Sequence, residues 1–224
     1  MRSLNACGRS MTDDVFYLNM VGDSFLGKLA QKARKDLYEI FMTQLDAARA
    51  GSVLDVGVSV LEKNPRESNI LERLYPHPKR ITMLGIHEGA FLEDQFPGAR
   101  YVRYDPQGKF PFQDNQFDVI YCNAVIEHIG LEKDRDRFLR EVLRVGKKVF
   151  LSTPNRWYPL EFHKMIPFLH WFPQRWYRKF LGFMGDSFYC QKENLELMSK
   201  SDLARLFGRM GVPYKIISDR KSVG

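Results

Sequence analysis

Between Val53 and Ser152 the chain alternates short apolar, β-branched runs with stretches of helical periodicity, and few folds accept that pattern. Strands buried on both faces read as near-continuous apolar runs, and parallel neighbours must be joined by crossovers long enough to hold a helix. Strands are expected at Val53 to Val58, Ile81 to Ile86, Arg100 to Tyr104, Phe117 to Asn123 and Lys148 to Ser152. Helices are expected at Pro65 to Tyr75, Ala90 to Phe96 and Lys133 to Val145. Asn64, Pro65 and Glu67 supply the first of these with an N-cap, a first-turn proline and a capping-box partner. The order predicts an α/β fold, a mostly parallel sheet flanked by helices.

The flanks complete one domain. Residues 1 to about 14 are polar and aperiodic, which predicts a poorly ordered arm before a single domain over 15–224. From Phe16 to Arg49, Leu26, Leu29, Ala33, Leu37, Ile40, Phe41 and Leu45 recur at three- and four-residue intervals, as an amphipathic helix requires, and Gly51 ends it. After Pro154 the alternation gives way to an insertion over 155–190, rich in aromatics and prolines. Ser201 to Met210 resumes helical periodicity with Ser201 as cap and Gly211 as stop, and Tyr214 to Ser218 reads as one more strand.

Composition narrows the setting. At 224 residues, with 44% hydrophobic and 27% charged residues, the chain is long enough for one sizeable core and reads as an ordinary globular protein. A formal charge of +7 permits anionic partners without identifying one. Cys7, Cys122 and Cys190 are far apart and lack CxxC spacing, so free thiols in a reducing cytoplasm are expected rather than disulfides or a zinc site. The five histidines form no ligand spacing, so no metal is expected. The first residues lack the pattern of a secretory leader, and no charge-free apolar run approaches the roughly 18 residues that span a bilayer.

Open parallel sheets bind ligands at the carboxyl ends of their strands. "VLDVGVSVLEKNPRE" brings Asp55 and Gly57 to such an end: the glycine lets a ligand lie against backbone, and the carboxylate can accept from an ammonium or hydroxyl. The same letters also fit a strand ending in a plain turn. "LGIHE" then puts Glu88 just past the second strand, and "RYDPQGKFPFQDNQFDVIYCNAVIEHI" brings Asp105 after the third and the fourth strand itself.

Taken in that order, Val53 to Pro154 resembles the class I S-adenosylmethionine-dependent methyltransferases, of the broad group that includes the ubiquinone and menaquinone methyltransferases. The pieces that carry the resemblance are "FPFQDNQFDVIYCNAVIEHI" and, after it, "FLREVLRVGKKVFLSTPN". The resemblance implies a Rossmann-like sheet and S-adenosylmethionine as cofactor. It implies the methionine part near Asp55 and Gly57, the ribose near Glu88, the adenine near Asp105 and Pro106, and Asn123 and Ala124 beside the sulfonium, with His128 close behind. Two departures stand out: Val58 to Lys63 replace the family's glycine-rich turn, and His87 aligns with the acid that ends the second strand, leaving Glu88 one place late. A cofactor without pyrophosphate tolerates the first change, since Ser59 offers a hydroxyl and backbone N–H groups remain to meet a carboxylate.

Methyl transfer asks the protein to align the acceptor and exclude water, and a base assists when the acceptor is a hydroxyl or amine. His128, His163 and Glu161 are the candidate bases. Each has a plain structural alternative, a helix-start histidine bonded to backbone for His128 and a loop-fixing surface pair for Glu161 and His163. In the insertion, Trp157, Tyr158, Phe162, Phe168, Trp171, Phe172, Trp176, Tyr177 and Phe180 interleave with Arg156, Lys164, Arg175, Arg178 and Lys179. That mixture suits a lid whose aromatics complete the core, and equally a lid over an apolar acceptor that rests on a membrane surface. Nucleic acid is a weaker use, since no recognised module accompanies the patch.

The expected function is methyl transfer to a small or lipid-linked acceptor, at oxygen, in the cytoplasm or at a membrane surface; the competing expectation is a methyltransferase-like scaffold without turnover at such a surface. The family's sheet ends in a sixth and an inserted seventh strand, whereas "YKIISDRKSVG" offers one, so a shortened sheet or a truncated chain, with an exposed edge, is expected.

Overall fold

The computed structural model describes residues 25–60, 69–157 and 196–218, together with Trp171, Trp176, Lys179 and Phe180. In chain order its elements are helix α1 (Phe25–Leu45), strand β1 (Val53–Val56), helix α2 (Ile70–Leu74), strand β2 (Ile81–Gly85), helix α3 (Leu92–Gln95), strand β3 (Arg100–Arg103), strand β4 (Phe117–Asn123), helix α4 (Glu132–Val145), strand β5 (Gly146–Ser152) and helix α5 (Lys200–Met210). The five strands are all parallel in the order β3-β2-β1-β4-β5. The described residues fall into two compact units, one drawn from Met20–Val125 and Leu139–Ser152, the other from Ile126–Phe138 and Thr153–Gly224.

The first unit holds the sheet. Val53, Leu54, Asp55 and Val56 are all buried, because β1 is central and both of its faces are covered. On one face Val53, Ile81, Met83, Val119 and Tyr121 form a core with Phe41 of α1, whose ring meets Tyr121 and Phe150 edge-on at 5.0 and 5.8 Å. Two tyrosines tie the helical layer together without leaving a buried hydroxyl unpaired: Tyr38 donates to the Leu74 carbonyl at 2.9 Å and Tyr75 to the Ala47 carbonyl at 2.8 Å. At the entry end of β4, Arg144 gathers the 110–114 loop, bonding the carbonyls of Phe110 and Phe112 and the carboxylates of Asp114 and Glu141.

In the second unit, α5 carries a capping box. The Ser199 hydroxyl accepts from the Asp202 amide at 3.2 Å, while the Asp202 carboxylate accepts from the Ser199 amide at 2.9 Å. Arg135 is buried and bonds the Ile129 and Gly130 carbonyls and the Glu196 carboxylate, the last at 2.7 Å. Gly211 ends α5 with φ 68, a left-handed turn that glycine adopts without a Cβ clash.

Several expectations need correction. Ser199, not Ser201, caps the last helix, because only Ser199 has an acid three residues on at the third helical position. Residues 212–218 form no strand: the Tyr214 ring instead stacks on Phe207 of α5 at 5.5 Å, folding the segment back on the helix it leaves. Among the described residues β5 is therefore an edge, and the exposed Lys147 and Lys148 at its start discourage pairing with another chain. Strand β1 stops at Val56 rather than Val58 because Gly57 turns to φ 92. Similarly β2 ends at Gly85 rather than Ile86 and β3 at Arg103 rather than Tyr104, while β5 begins earlier, at Gly146. The described helix before β2 is short and starts after Asn69 with no side-chain cap, and the expected cap at Asn64, with 61–68, lies outside the described residues. So do the expected arm at 1–14 and the first part of the Phe16 to Arg49 helix.

Candidate functional site

In a sheet of this order the crossovers leave β1 and β4 on opposite sides, and the crevice beyond those two strand ends is where ligands bind. Gly57 stands at the exit of β1. Its amide donates to the Leu84 carbonyl at 2.9 Å, its φ is 92, and a methyl group placed on it would overlap Cγ2 of Val125. Glycine is thus required twice, for the turn and for the approach of Val125. At the exit of β4, Ala124 is a non-glycine residue at φ 56; its amide donates to the Ser152 carbonyl at 3.0 Å, and the Ser152 hydroxyl bonds the Asn123 side-chain oxygen. Such strained backbone persists where surrounding bonds over-determine it, and it clusters at functional sites.

The Asp55 side chain is buried in the first unit's core. It is 6% exposed and lies on the core face between Met83 and Tyr121, its partners across β2 and β4, where the charge of the buried Glu72 of α2 acts on it. Two carboxylates have no donor between them, and neither the Glu72 oxygens nor the Tyr121 hydroxyl has a hydrogen-bond partner among the described residues. A proton held between Asp55 and Glu72 satisfies the pair. Burial, then the charge of Glu72, raises the Asp55 pKa well above the ordinary carboxylate range. Burial likewise raises Glu72 against the opposing pulls of Asp55 and of Arg73, and burial with both acids raises the Tyr121 phenol.

A raised carboxyl pKa gives stability that is complete below the ordinary value near 4 and is lost as pH climbs through the raised one. The chain is therefore expected to melt higher at pH 5.5 than at pH 8. Asp55→Asn, which supplies its own donor to Glu72, is expected to flatten that slope and raise the melting temperature at pH 8. Each pKa unit corresponds to about 1.4 kcal/mol, or about 2–4 °C per kcal/mol in a domain of this size. Melting curves of both proteins at the two pH values are the check; parallel curves would place the proton elsewhere.

The loop after β1 is also committed internally. The Ser59 amide donates to the Asn69 side-chain oxygen at 2.9 Å and the Ser59 carbonyl accepts from the Asn69 side-chain nitrogen at 2.9 Å, so one amide group copies a strand pairing. Val58 turns into the core. The Ser59 N–H is thus occupied, whereas the group expected to meet a ligand carboxylate is its hydroxyl, and 61–63 of that turn lie outside the described residues.

The exits of β2 and β3 present a different surface. Ile86 is 41% exposed although apolar, and Glu88 and Asp105 are exposed acids. Glu88 pairs with Arg103, whose Nε also donates to the Ile86 carbonyl at 3.3 Å. Two residues earlier on the same face of β3, Tyr101 donates to the His87 carbonyl at 2.5 Å, and its ring fills the space beside Gly85 and Gly89. Asp105 opens a tight turn by accepting from the Gln107 amide at 2.9 Å, with the exposed Pro106 at its apex.

Asp55, Gly57, Ser59, Glu88, Asp105, Pro106, Asn123 and Ala124 all belong to the first unit. His128 belongs to the second, in a 3-10 turn from Ile126 to His128, and Glu161 and His163 lie outside the described residues. In the second unit Glu127 is fully buried, accepting from the Thr153 hydroxyl at 3.1 Å, while its carbonyl accepts from the Glu196 amide at 2.8 Å. Sequence reading overlooked Ile86, Asn69, Tyr101, Arg103, Val125 and Glu127. Only Ile86 gave a signal, as an apolar residue in the loop at a strand exit. Among the described residues no group of three or more His, Cys, Asp or Glu side chains could hold a metal ion.

The β2 and β3 exits join an exposed apolar side chain, Ile86, to two exposed acids, Glu88 and Asp105. The described residues offer the amino-acid end of the expected cofactor less, because Asp55 is buried and the Ser59 backbone is already paired.

Residues 69–149 match the model of the methyltransferase domain. With the parallel order of the sheet, this match identifies residues 69–149 as methyltransferase-domain sequence. Solved structures with related folds include a SAM-dependent methyltransferase from Archaeoglobus fulgidus, at 17% identity and TM-score 0.49 over 80% of this chain and 66% of that one. The N-methyltransferase NodS from Bradyrhizobium japonicum, solved with S-adenosyl-L-homocysteine, is matched at 15% identity and TM-score 0.36 over 49% of this chain. The [4+2]-cyclase SpnF is matched at 20% identity and TM-score 0.38 over 52%. The chain spans 54% of the length of NodS and 41% of SpnF. No curated protein matches the sequence.

Proposed function

We propose that the chain transfers a methyl group from S-adenosylmethionine to the oxygen of a small or lipid-linked acceptor. The observation that carries the reading is the methyltransferase-domain match over 69–149 on a β3-β2-β1-β4-β5 sheet whose β2 and β3 exits expose Ile86, Glu88 and Asp105. In this reading Glu88 accepts from the sugar hydroxyls, Ile86 packs against the base, and Asp105 with Pro106 borders it. Gly57, Asn123 and Ala124 border the crevice at the exits of β1 and β4. Bound there, S-adenosylmethionine supplies an electrophilic methyl group on a positively charged sulfur. The chain's own task is alignment, exclusion of water and removal of the acceptor's proton. His128 is the proposed holder of that proton on its imidazole, with Glu161 and His163 as the other candidates.

The lipid-linked acceptor draws support from Trp157, Trp171, Trp176 and Phe180, all exposed, with Arg156 over the Trp157 ring at 5.2 Å and Lys179 over the Trp176 ring at 5.7 Å. Aromatic faces beside cations suit an anionic bilayer interface. None of the described helices is long and apolar enough to cross a membrane. A scaffold without turnover is the second reading, favoured by the inward Asp55 and the occupied Ser59 amide.

Calorimetry with S-adenosylhomocysteine is expected to show saturable heat with a micromolar-range Kd. No heat at millimolar ligand from folded protein would remove the enzyme reading. Flotation with anionic but not zwitterionic vesicles, without ligand heat, would establish the scaffold instead.

A further inference from the structure

Glu88, the acid proposed to accept from the sugar, lies one residue beyond the position the family resemblance gives that acid, and β3 holds the loop that carries it. Arg103 and Tyr101 project from the same face of β3 and bond three groups of the β2 exit loop. These are the Ile86 carbonyl through Arg103 Nε at 3.3 Å, the His87 carbonyl through the Tyr101 hydroxyl at 2.5 Å, and the Glu88 carboxylate through Arg103 Nη1. The Tyr101 ring leaves no room for a side chain at Gly85 or Gly89, so the loop is braced from below as well as held at its carbonyls. The Arg103–Glu88 pair is itself exposed, 56% and 84%, so as a surface ion pair it contributes little to folding. Its use lies elsewhere. A planar guanidinium bound at once to a loop carbonyl and to one carboxylate oxygen fixes where the other oxygen points, which lysine's single ammonium does less well.

We infer that Arg103 is a positioning residue for nucleoside recognition: it sets the Glu88 carboxylate to receive the sugar's vicinal hydroxyls, restoring from β3 what His87 cannot supply at the end of β2. This rests on the proposed function, since it assumes an adenosyl ligand at the β2 and β3 exits.

Binding of S-adenosylhomocysteine and of its 2′-deoxy counterpart, compared by calorimetry, tests it. Arg103→Gln is expected to weaken S-adenosylhomocysteine about tenfold, as loss of one well-oriented charged hydrogen bond does, and the deoxy ligand less than twofold. Arg103→Lys is expected to fall between. In Glu88→Gln protein, adding Arg103→Gln is expected to change affinity for neither ligand. Melting temperatures of the Arg103 variants are expected to stay within about 2 °C of the unaltered chain, as for other exposed pairs. Equal weakening of both ligands, no weakening, or tighter binding by Arg103→Gln would each overturn the inference while leaving the enzyme reading intact. Failure of the unaltered chain to bind S-adenosylhomocysteine would remove both.

Discussion

Gly57→Ala is expected to destabilise the chain by about 2–6 kcal/mol: about 1–3 from holding an L-residue at φ 92 and about 1–3 from forcing a methyl group into Val125. At this chain length that lowers the melting temperature by roughly 4–24 °C. Adding Val125→Ala gives the new methyl room, so the double variant is expected to recover the packing part and keep the backbone part. Val125→Ala alone removes two methyl groups from a half-buried site and is expected to cost about 1 kcal/mol. The surviving fold of Gly57→Ala is also expected to bind S-adenosylhomocysteine poorly, because the exits of β1 and β4 meet at this contact. Chemical denaturation and calorimetry on the three variants separate the two effects. A Gly57→Ala protein as stable as the unaltered chain would show that the β1 exit does not close on Val125.

That contact illustrates what a sequence can and cannot announce. Strand β4 was legible to the residue and α4 within one position, because Phe117–Asn123 is apolar but for Asp118 and the final Asn123, and Glu132–Val145 keeps strict helical periodicity. The direction of Asp55 was not legible. On a strand buried on both faces, alternation no longer distinguishes inside from outside, and the residues around the carboxyl, Glu72 and Tyr121, come from a helix and a strand elsewhere in the chain. The Ser199 cap was readable by the spacing of its box with Asp202, but helical periodicity alone favoured Ser201. Tyr214 to Ser218 has the letters of a strand and lacks only a neighbour among the described strands, and neighbours are what local pattern does not encode. Tyr101 and Arg103 looked like ordinary alternation on a strand. Their roles arise because β3 lies next to β2, so its side chains reach the β2 exit loop.

The other large expected loss sits at the opposite end of β4 and separates folding from binding. Arg144 bonds Glu141 through Nε at 3.0 Å and Nη2 at 2.6 Å, and holds the carbonyls of Phe110 at 3.1 Å and Phe112 at 2.8 Å with Asp114 at 2.8 Å. Glu141 is buried, also accepts the Phe110 amide at 2.8 Å, and is held below the ordinary glutamate range chiefly by its bonds to Arg144. Arg144→Met strands that charge and two carbonyls, a loss expected to be about 3 kcal/mol, near the low end for breaking a buried pair because Arg144 keeps some contact with water. Arg144→Lys keeps the charge without the fork and is expected to recover only part. A depressed carboxyl pKa contributes stability above its ordinary value and loses it as pH falls through the folded one, so the gap between the two proteins is expected to narrow below about pH 4. The seven residues of β4 put its exit about 20 Å from this loop at roughly 3.3 Å per residue. The folded fraction of Arg144→Met is therefore expected to bind S-adenosylhomocysteine as tightly as the unaltered chain. Gly57→Ala would lose both properties, Arg103→Gln only affinity and Arg144→Met only stability; a loss of affinity in Arg144→Met would mean that the 110–114 loop reaches the ligand through the strand it precedes.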